Sequence, residues 1–332
     1  MKKILLISNY RANVGGISGQ VELLKYYLSN EGFEVEIFNT KGSLWYRLGL
    51  FYRLRKVGKL YDVFHIHACS KLGFLPAIVG IKVGKKLQKK IVLTYHGGGA
   101  ATFFKKHIRL VRKYLLQTDS NIVLSGFLGN IFQQYDIPYV IIPNIIKFKD
   151  QYKERDIIHP NFISIRSLTS LYNIECILRA FEIVKKRITN ATLMIVGDGC
   201  SRLELEQYVE AHQLEDVTFV GKVKNSDIYH FLDQSDIMLS SPREDNMPVS
   251  LLEGMNAGLL VISSNVGGVP YMIEDHKNGL LFESDNDKML SEKMIWAVTH
   301  QDDVKLMMKE GSHFVKDYKW ESVRNKILAQ YV

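Results

Sequence analysis

At 332 residues the chain is long enough for two domains of about 100–200 residues each, and its 46% hydrophobic fraction excludes a disordered protein. No apolar run reaches the roughly 18–20 residues that span a bilayer, and residues 1–8 lack the long apolar core of a signal peptide, so the expectation is a cytoplasmic protein. Three well-separated cysteines (Cys69, Cys176, Cys200) argue against a disulfide framework, and the formal charge of +8 is concentrated in the first half.

Short β-branched runs alternate with amphipathic helical stretches along nearly the whole chain. Strands are expected at 3–8, 34–38, 63–67, 91–95, 121–124 and 139–142. A second series follows at 162–166, 192–196, 218–220, 237–239, 260–263 and 280–282. Most are continuous apolar runs, as in parallel strands covered on both faces. Helices are expected between them, at 20–30, 176–187, 202–213 and 249–256 among others, and the last at 320–331. Repeated strand–helix–strand units imply two open, doubly wound Rossmann-like sheets. The pattern restarts after a polar stretch. The division expected is a first domain over 1–146, a linker over 147–159, a second domain over 160–315 and a closing helical segment over 316–332. Ligands of such folds bind at the carboxyl ends of the strands, here in a cleft between two facing domains.

The densest chemistry lies at Ser241-Pro242-Arg243-Glu244-Asp245-Asn246-Met247-Pro248-Val249-Ser250-Leu251-Leu252-Glu253. A strand ends, a turn follows, and Pro248 opens a helix that stops at Gly258. The unpaired amides of Val249, Ser250 and Leu251 then form an anion site. Asp245 lies just before that site and Glu253 about one turn inside it, placed to face a sugar and to accept from ribose hydroxyls. The alternative is a capping acid and a surface glutamate. In the first half, Asn13-Val14-Gly15-Gly16-Ile17 joins strand to helix, where glycines let backbone amides approach a ligand. It is not a nucleotide P-loop, since no Gly-Lys-Ser/Thr follows. His96 ends a strand in Thr94-Tyr95-His96-Gly97-Gly98-Gly99. His65, His67 and Cys69 alternate along another strand and superficially suggest a metal site, but a buried parallel strand reads as core, with His67 able to line the cleft. Asp285-Asn286-Asp287 has the acid-x-acid form of some metal sites, yet its place before a helix reads as capping, and no metal is expected.

Several ordered blocks resemble the donor-binding half of retaining glycosyltransferases of family four, which have the GT-B fold. They are Ile195-Val196-Gly197-Asp198-Gly199, Val217-Thr218-Phe219-Val220-Gly221, Ser235-Asp236-Ile237, Ser250-Leu251-Leu252-Glu253-Gly254-Met255, Asn265-Val266-Gly267-Gly268-Val269-Pro270 and Asn278-Gly279-Leu280-Leu281-Phe282. The resemblance implies Arg166, Asp245 and His96 as catalytic residues. It implies donor contacts from Gly15, Gly16, Gly197, Val223, Asn246, Met247, Pro248, Val249, Ser250 and Glu253. Two departures stand out. Asp245 occupies a position that is normally Glu, and Tyr172 lies near the place of a phosphate-binding Lys. A lost charge-assisted hydrogen bond is worth about 1.5–3 kcal/mol, or roughly 10- to 150-fold in affinity. The helix amides, Arg166 and Arg243 remain to hold a diphosphate.

The implied reaction is transfer of a hexose-type sugar, with retained anomeric configuration, from a nucleotide-diphosphate sugar (UDP-sugar favoured) to a glycan or lipid-linked oligosaccharide in bacterial surface-polysaccharide assembly. No cofactor and no metal is implied. Two alternatives stay open, a weakly active regulatory or binding subunit and a sugar-nucleotide epimerase of the same fold. The stretch Tyr46-Arg47-Leu48-Gly49-Leu50-Phe51-Tyr52-Arg53-Leu54-Arg55-Lys56 mixes aromatics with cations. Lys82, Lys85, Lys86, Lys89 and Lys90 follow, then Lys105, Lys106, Arg109, Arg112 and Lys113. These read either as solvated helix faces or as a surface resting on anionic lipid at the inner face of a membrane, where each cation contributes about 1 kcal/mol. No nucleic-acid motif accompanies the charge, so nucleic acid is not an expected partner.

Overall fold

The computed structural model describes residues 2–11, 16–147 and 152–332. The first series of elements is β1 (Lys3–Ser8), α1 (Ile17–Asn30), β2 (Glu34–Asn39), α2 (Leu44–Leu48), α3 (Leu50–Gly58), β3 (Val63–Ala68), α4 (Leu75–Lys86), β4 (Lys90–Tyr95), α5 (Ala100–Leu115), β5 (Ser120–Val123), α6 (Gly126–Gln134) and β6 (Val140–Ile141). The second is β7 (Asn161–Ile165), α7 (Ile174–Lys185), β8 (Thr192–Val196), α8 (Arg202–Ala211), β9 (Val217–Gly221), α9 (Ile228–Leu232), β10 (Ile237–Ser240), α10 (Val249–Asn256), β11 (Leu260–Ser264), β12 (Leu280–Phe282), α11 (Asp287–Thr299) and α12 (Gln301–Phe314). A last helix, α13 (Trp320–Leu328), closes the chain. Among the described residues, no helix is long and apolar enough to cross a membrane.

The chain divides into two compact units, Met1–Lys147 with Tyr318–Val332, and Phe148–Asp317. Each holds one six-stranded sheet, ordered β2-β1-β3-β4-β5-β6 in the first and β12-β11-β10-β7-β8-β9 in the second. Every strand pair is parallel. The doubly wound Rossmann-like expectation therefore holds for both sheets. Helices cover both faces, which is why β3 and β11 are buried at every position.

Strand order also fixes where a site can form. In the second unit the winding direction reverses between β7 and β10, which pair at Ile237 with Phe162 and Met238 with Ile163. In the first it reverses between β1 and β3. Loops leaving the carboxyl ends of two such strands diverge to opposite faces of the sheet and open a crevice.

Local chemistry moves some element ends from their expected places. The helix expected from residue 20 begins at Ile17, because Gly16 takes φ +67° and turns the chain into α1 one turn earlier. Gln20 lies inside that helix. Its side-chain amide donates to the Ile145 carbonyl at 2.8 Å and accepts from the Ile145 amide at 2.9 Å. The final helix stops at Leu328, three residues early. Tyr331 instead turns inward, 1% exposed, and donates to or accepts from His65 Nδ1 at 2.7 Å.

The α13 helix belongs to the first unit's core. Trp320 stacks on Tyr27 at 4.8 Å and 5°, and its indole N–H donates to Glu31, which also pairs with Arg324. Val323, Ile327 and Tyr331 pack with Ile4, Leu6 and Val92.

In the stretch before β7, Arg155 is 6% exposed. It pairs with Asp236 at 2.6 Å and donates to the Ser235, Ala257 and Gly258 carbonyls. Asp236 also accepts the His159 amide at 2.8 Å. One guanidinium thus ties the entry to β7 to the start of β10 and the end of α10. Replacing Arg155 by Met leaves Asp236 as a buried carboxylate with a single donor. The expected loss is about 3–5 kcal/mol, read from the urea midpoint of the second unit, and a loss under about 1 kcal/mol would show the pair to be solvated.

Candidate active site

The expected anion site begins where α10 begins. Pro248 is the N-cap at φ −68°, ψ 111°, and Val249 is the first helical residue. The helix ends in a Schellman arrangement. Gly258, at φ +75°, donates to the Met255 carbonyl and Leu259 donates to that of Gly254. Of the three amides expected to be free, that of Leu251 is not, since it donates to the Pro248 carbonyl at 3.2 Å. The tight first turn leaves Val249 and Ser250 as the available donors. Ser250 is 9% exposed and its hydroxyl has no partner. Asn246, Met247 and Pro248 are buried beside it.

Arg166 follows β7 directly and lies at the reversal point of the sheet. Its Nη2 is 3.0 Å from Asp245 Oδ2, and Nε and Nη2 donate to Ser240 Oγ at 3.3 and 3.2 Å. Its guanidinium lies 4.9 Å from the centroid of the Tyr172 ring, within cation–π range. Burial raises the Tyr172 phenol pKa above its usual value, with Arg166 opposing the shift and Asp245 adding to it. Asp245 is fixed from the other side: its Oδ1 accepts the Asn246 amide at 2.8 Å and its carbonyl accepts that of Gly268 at 3.0 Å.

Two glycines let these loops touch backbone to backbone. A Cβ on Gly197 would sit 1.9 Å from the Arg166 carbonyl oxygen, and one on Gly268 1.8 Å from that of Asn246. Gly197 is thus required by packing against Arg166, whatever it does for a ligand.

Glu253 is partly exposed, yet protein crowds its carboxylate. Burial pushes its pKa up to about 7, and Arg166 pulls it the other way. Burial likewise raises that of neighbouring Tyr229, whose hydroxyl accepts from Asn256 at 2.9 Å, and Glu253 adds to the rise. Val223 lies in the loop after β9, partly buried.

Arg243 is already engaged. It pairs with Asp285 at 2.7 Å and donates to the Ser170 carbonyl, while Asn173 donates to the same carboxylate at 2.7 Å. Asn286 caps α11 by accepting the Met289 amide at 2.9 Å, and Asp287 pairs with Arg179. The acid-x-acid triplet therefore serves the fold of the second unit.

In the first unit, Gly15 and the Asn13–Val14 pair lie outside the described residues, and Gly16 is exposed. His96 follows β4, partly exposed, with its amide donating to the Ala68 carbonyl at 2.8 Å. His67 Nδ1 lies 3.0 Å from His96 Nε2. Both ring nitrogens of His65 are taken, by the Tyr331 and Thr94 hydroxyls at 2.7 Å each, so this histidine is structural. A cavity of about 40 Å³ is lined by His65, His67, His96, Thr94, Asn144 and Gln20 with apolar neighbours.

Sequence reasoning missed Ser240 and the Tyr172 stack. Ser240 is signalled only by its place at the end of a reversal-point strand, and Tyr172 by standing near the place where the resemblance puts a lysine.

The raised Glu253 pKa has a consequence for stability. A carboxyl whose folded pKa exceeds its unfolded value of about 4.5 stabilises the fold below that pH, and the benefit is lost as pH rises through about 7. Glu253→Gln is therefore expected to match the wild type near pH 4 and to exceed it above pH 8, by up to about 3 kcal/mol. Thermal unfolding across that range tests this, and a difference independent of pH would refute it.

A family model described as glycosyl transferases group 1 matches residues 147–313, half of the chain, and includes Arg166, Asp245 and Glu253. The chain is 22% identical to an uncharacterised glycosyltransferase of Methanocaldococcus jannaschii, across 96% of this chain and 95% of that one. It is 25% identical to N-acetyl-alpha-D-glucosaminyl L-malate synthase of Bacillus anthracis, across 81% and 73%. Among solved structures, sucrose-phosphate synthase from Thermosynechococcus elongatus matches with a TM-score of 0.84 at 18% identity, across 100% of this chain and 98% of the other. Anabaena HepE in complex with UDP and glucose matches with a TM-score of 0.79 at 15% identity, across 99% of each. These structural likenesses carry the fold, which is GT-B. With the family match spanning the loops that hold Arg166, Asp245 and Glu253, the chain belongs to the glycosyl transferases group 1 family.

Proposed function

We propose that the protein is a retaining glycosyltransferase that moves a hexose-type sugar from a UDP-sugar to a glycan or lipid-linked oligosaccharide in polysaccharide assembly. The observation that carries this reading is the meeting of Arg166, the α10 amino terminus and Glu253 at the reversal point of the second sheet. A guanidinium and the amides of Val249 and Ser250 suit a diphosphate. Glu253 suits ribose hydroxyls, as a carboxyl able to donate or accept near neutral pH. The uridine assignment is supported by the UDP-bound state of Anabaena HepE.

Asp245 is not set up as a nucleophile, since it is held by Arg166 and by its own loop. We assign a same-face displacement. The bond from the anomeric carbon to the departing phosphate oxygen breaks, the acceptor oxygen bonds that carbon, and its proton passes to the phosphate. Engagement of Asp285, Asn286 and Asp287 within the fold supports a reaction without a metal. His96 is assigned to a substrate oxygen.

A second reading has its own observation. Arg166 is paired with Asp245, and no lysine stands at position 172, which fits a weakly active regulatory subunit. Saturation-transfer NMR with UDP-, GDP-, ADP- and dTDP-sugars separates the two. Binding of a UDP-sugar, lost in Glu253→Ala and weakened about 10- to 100-fold in Arg166→Ala, is expected. Binding of none of the four by the wild type would favour the regulatory subunit.

Attachment to an anionic membrane surface belongs to the same proposal. On α3, Leu50, Leu54 and Gly58 face the core. Phe51, Tyr52, Arg55 and Lys56 are exposed, as is Lys59 just beyond. Trp45 is 82% exposed. Arg53, by contrast, stacks over Tyr46 and donates to its carbonyl. Aromatics and free cations on one side suit the boundary between headgroups and acyl chains. Glutamates at Arg55, Lys56 and Lys59 should reduce binding to phosphatidylglycerol vesicles at least tenfold. Equal sedimentation of the variant and the wild type would remove the membrane from the proposal.

A further inference from the structure

Three imidazoles meet at the carboxyl ends of β3 and β4. His65 and His67 project to the same face of β3, and their rings stack at 4.5 Å and 25°. His67 continues the series to His96, with ring centroids 5.2 Å apart. Burial depresses all three pKa values, that of His65 to about 3 and that of His96 to about 4, and that of His67 well below its usual range, with mutual repulsion adding at His65 and His67. Each ring is therefore neutral near pH 7 and carries one N–H.

Only one proton can lie between His67 Nδ1 and His96 Nε2 at 3.0 Å, since two lone pairs or two N–H groups would repel. The other nitrogen of His67 decides which ring supplies it. His67 is 4% exposed and its Nε2 has no hydrogen-bond partner. If His96 gave the proton, His67 would have to carry its own on Nε2, a buried donor with no acceptor. If His67 gives it, Nε2 keeps only a lone pair. Orphaned buried N–H groups are rarer than under-satisfied acceptors.

We propose that His67 is a positioning residue: its Nδ1–H donates to His96 Nε2 and holds His96 as the Nδ1–H tautomer, so that His96 offers a donor to a substrate oxygen. The last step rests on the assignment of His96 made above, whereas the tautomer does not. His65, fixed by Tyr331 and Thr94, supports the His67 ring from its far face. The α13 end of the chain thus orders the series through Tyr331. A donor suits an ether or hydroxyl oxygen of a sugar, and a neutral one can bind it without placing a charge in a desolvated pocket.

The test is long-range 1H–15N correlation on the full chain with 15N-labelled histidine, with His96 assigned by its loss in His96→Gln. His96 is expected to show a protonated Nδ1 and a bare Nε2 in the wild type. His67→Asn, whose amide can donate from nearly the same place, should keep that pattern, and His67→Phe should lose it. A protonated Nε2 on His96 in the wild type, or an unchanged pattern in His67→Phe, would overturn the proposal. Turnover of the UDP-sugar selected by the NMR panel adds a second readout. His67→Phe should lower kcat/KM about tenfold and His67→Asn should recover most of it. If His96→Gln turns over like the wild type while the tautomer is as expected, the assignment of His96 to substrate fails and the His67 contact stands.

Discussion

The candidate donor site depends on where the Arg166 guanidinium is held. Its backbone leaves β7 at the reversal of the sheet, and Ser240 at the end of β10, with Tyr172 and Asp245 from two loops, restrains its side chain. A cation in that position would be mobile and hydrated if left alone. Pairing with a carboxylate that is itself bonded to the next amide fixes it before any ligand arrives. The same pairing sets a condition on binding. A diphosphate must draw on the remaining guanidinium N–H groups and the α10 amides, or displace Asp245.

The two departures that the resemblance implies, at Asp245 and Tyr172, both border Arg166. Asp245 has a shorter side chain than Glu, and one of its oxygens is occupied by its own loop while the other meets Arg166. Tyr172, near the place where the resemblance puts a lysine, brings no charge but puts a polarisable ring within reach of the guanidinium. A site with one cation, one paired anion and a Glu253 that is half protonated near neutral pH repels an incoming diphosphate less than two ionised acids would. A lysine would add attraction. The uncharged ring and the half-protonated glutamate reduce opposition instead.

Parallel strands buried on both faces leave a plain mark on a sequence, which is why the ends of β1, β8 and β12 coincide with the expected runs 3–8, 192–196 and 280–282. Helix α10 was equally legible because Pro248 and Gly258 punctuate it. What the sequence hides is pairing over distance. Arg155 reads as one charge among several in a polar stretch, and only the fold brings Asp236 to it from 81 positions away. His67 reads as a core residue on a buried strand, which it is. Its contact with His96 arises because β3 and β4 are neighbours in register, with His67 opposite Thr94. The bonded Leu251 amide is not legible in the sequence, because helix-start geometry, set by the backbone of Pro248, decides which of the first amides stay free.

The two units solve the problem of holding polar groups at strand ends by different means. The second uses full charges and keeps them tolerable by pairing, so its chemistry can be shifted by protonating Glu253 near neutral pH. The first uses imidazoles whose pKa values burial depresses, so that they stay neutral near pH 7. Its polarity is carried by the direction of N–H bonds, not by titration. A hydrogen-bond direction set by packing is insensitive to pH but sensitive to geometry. For that reason, changes near Tyr331 or Thr94 should act on the first unit's site through ring orientation, whereas changes near Arg166 act on the second through charge.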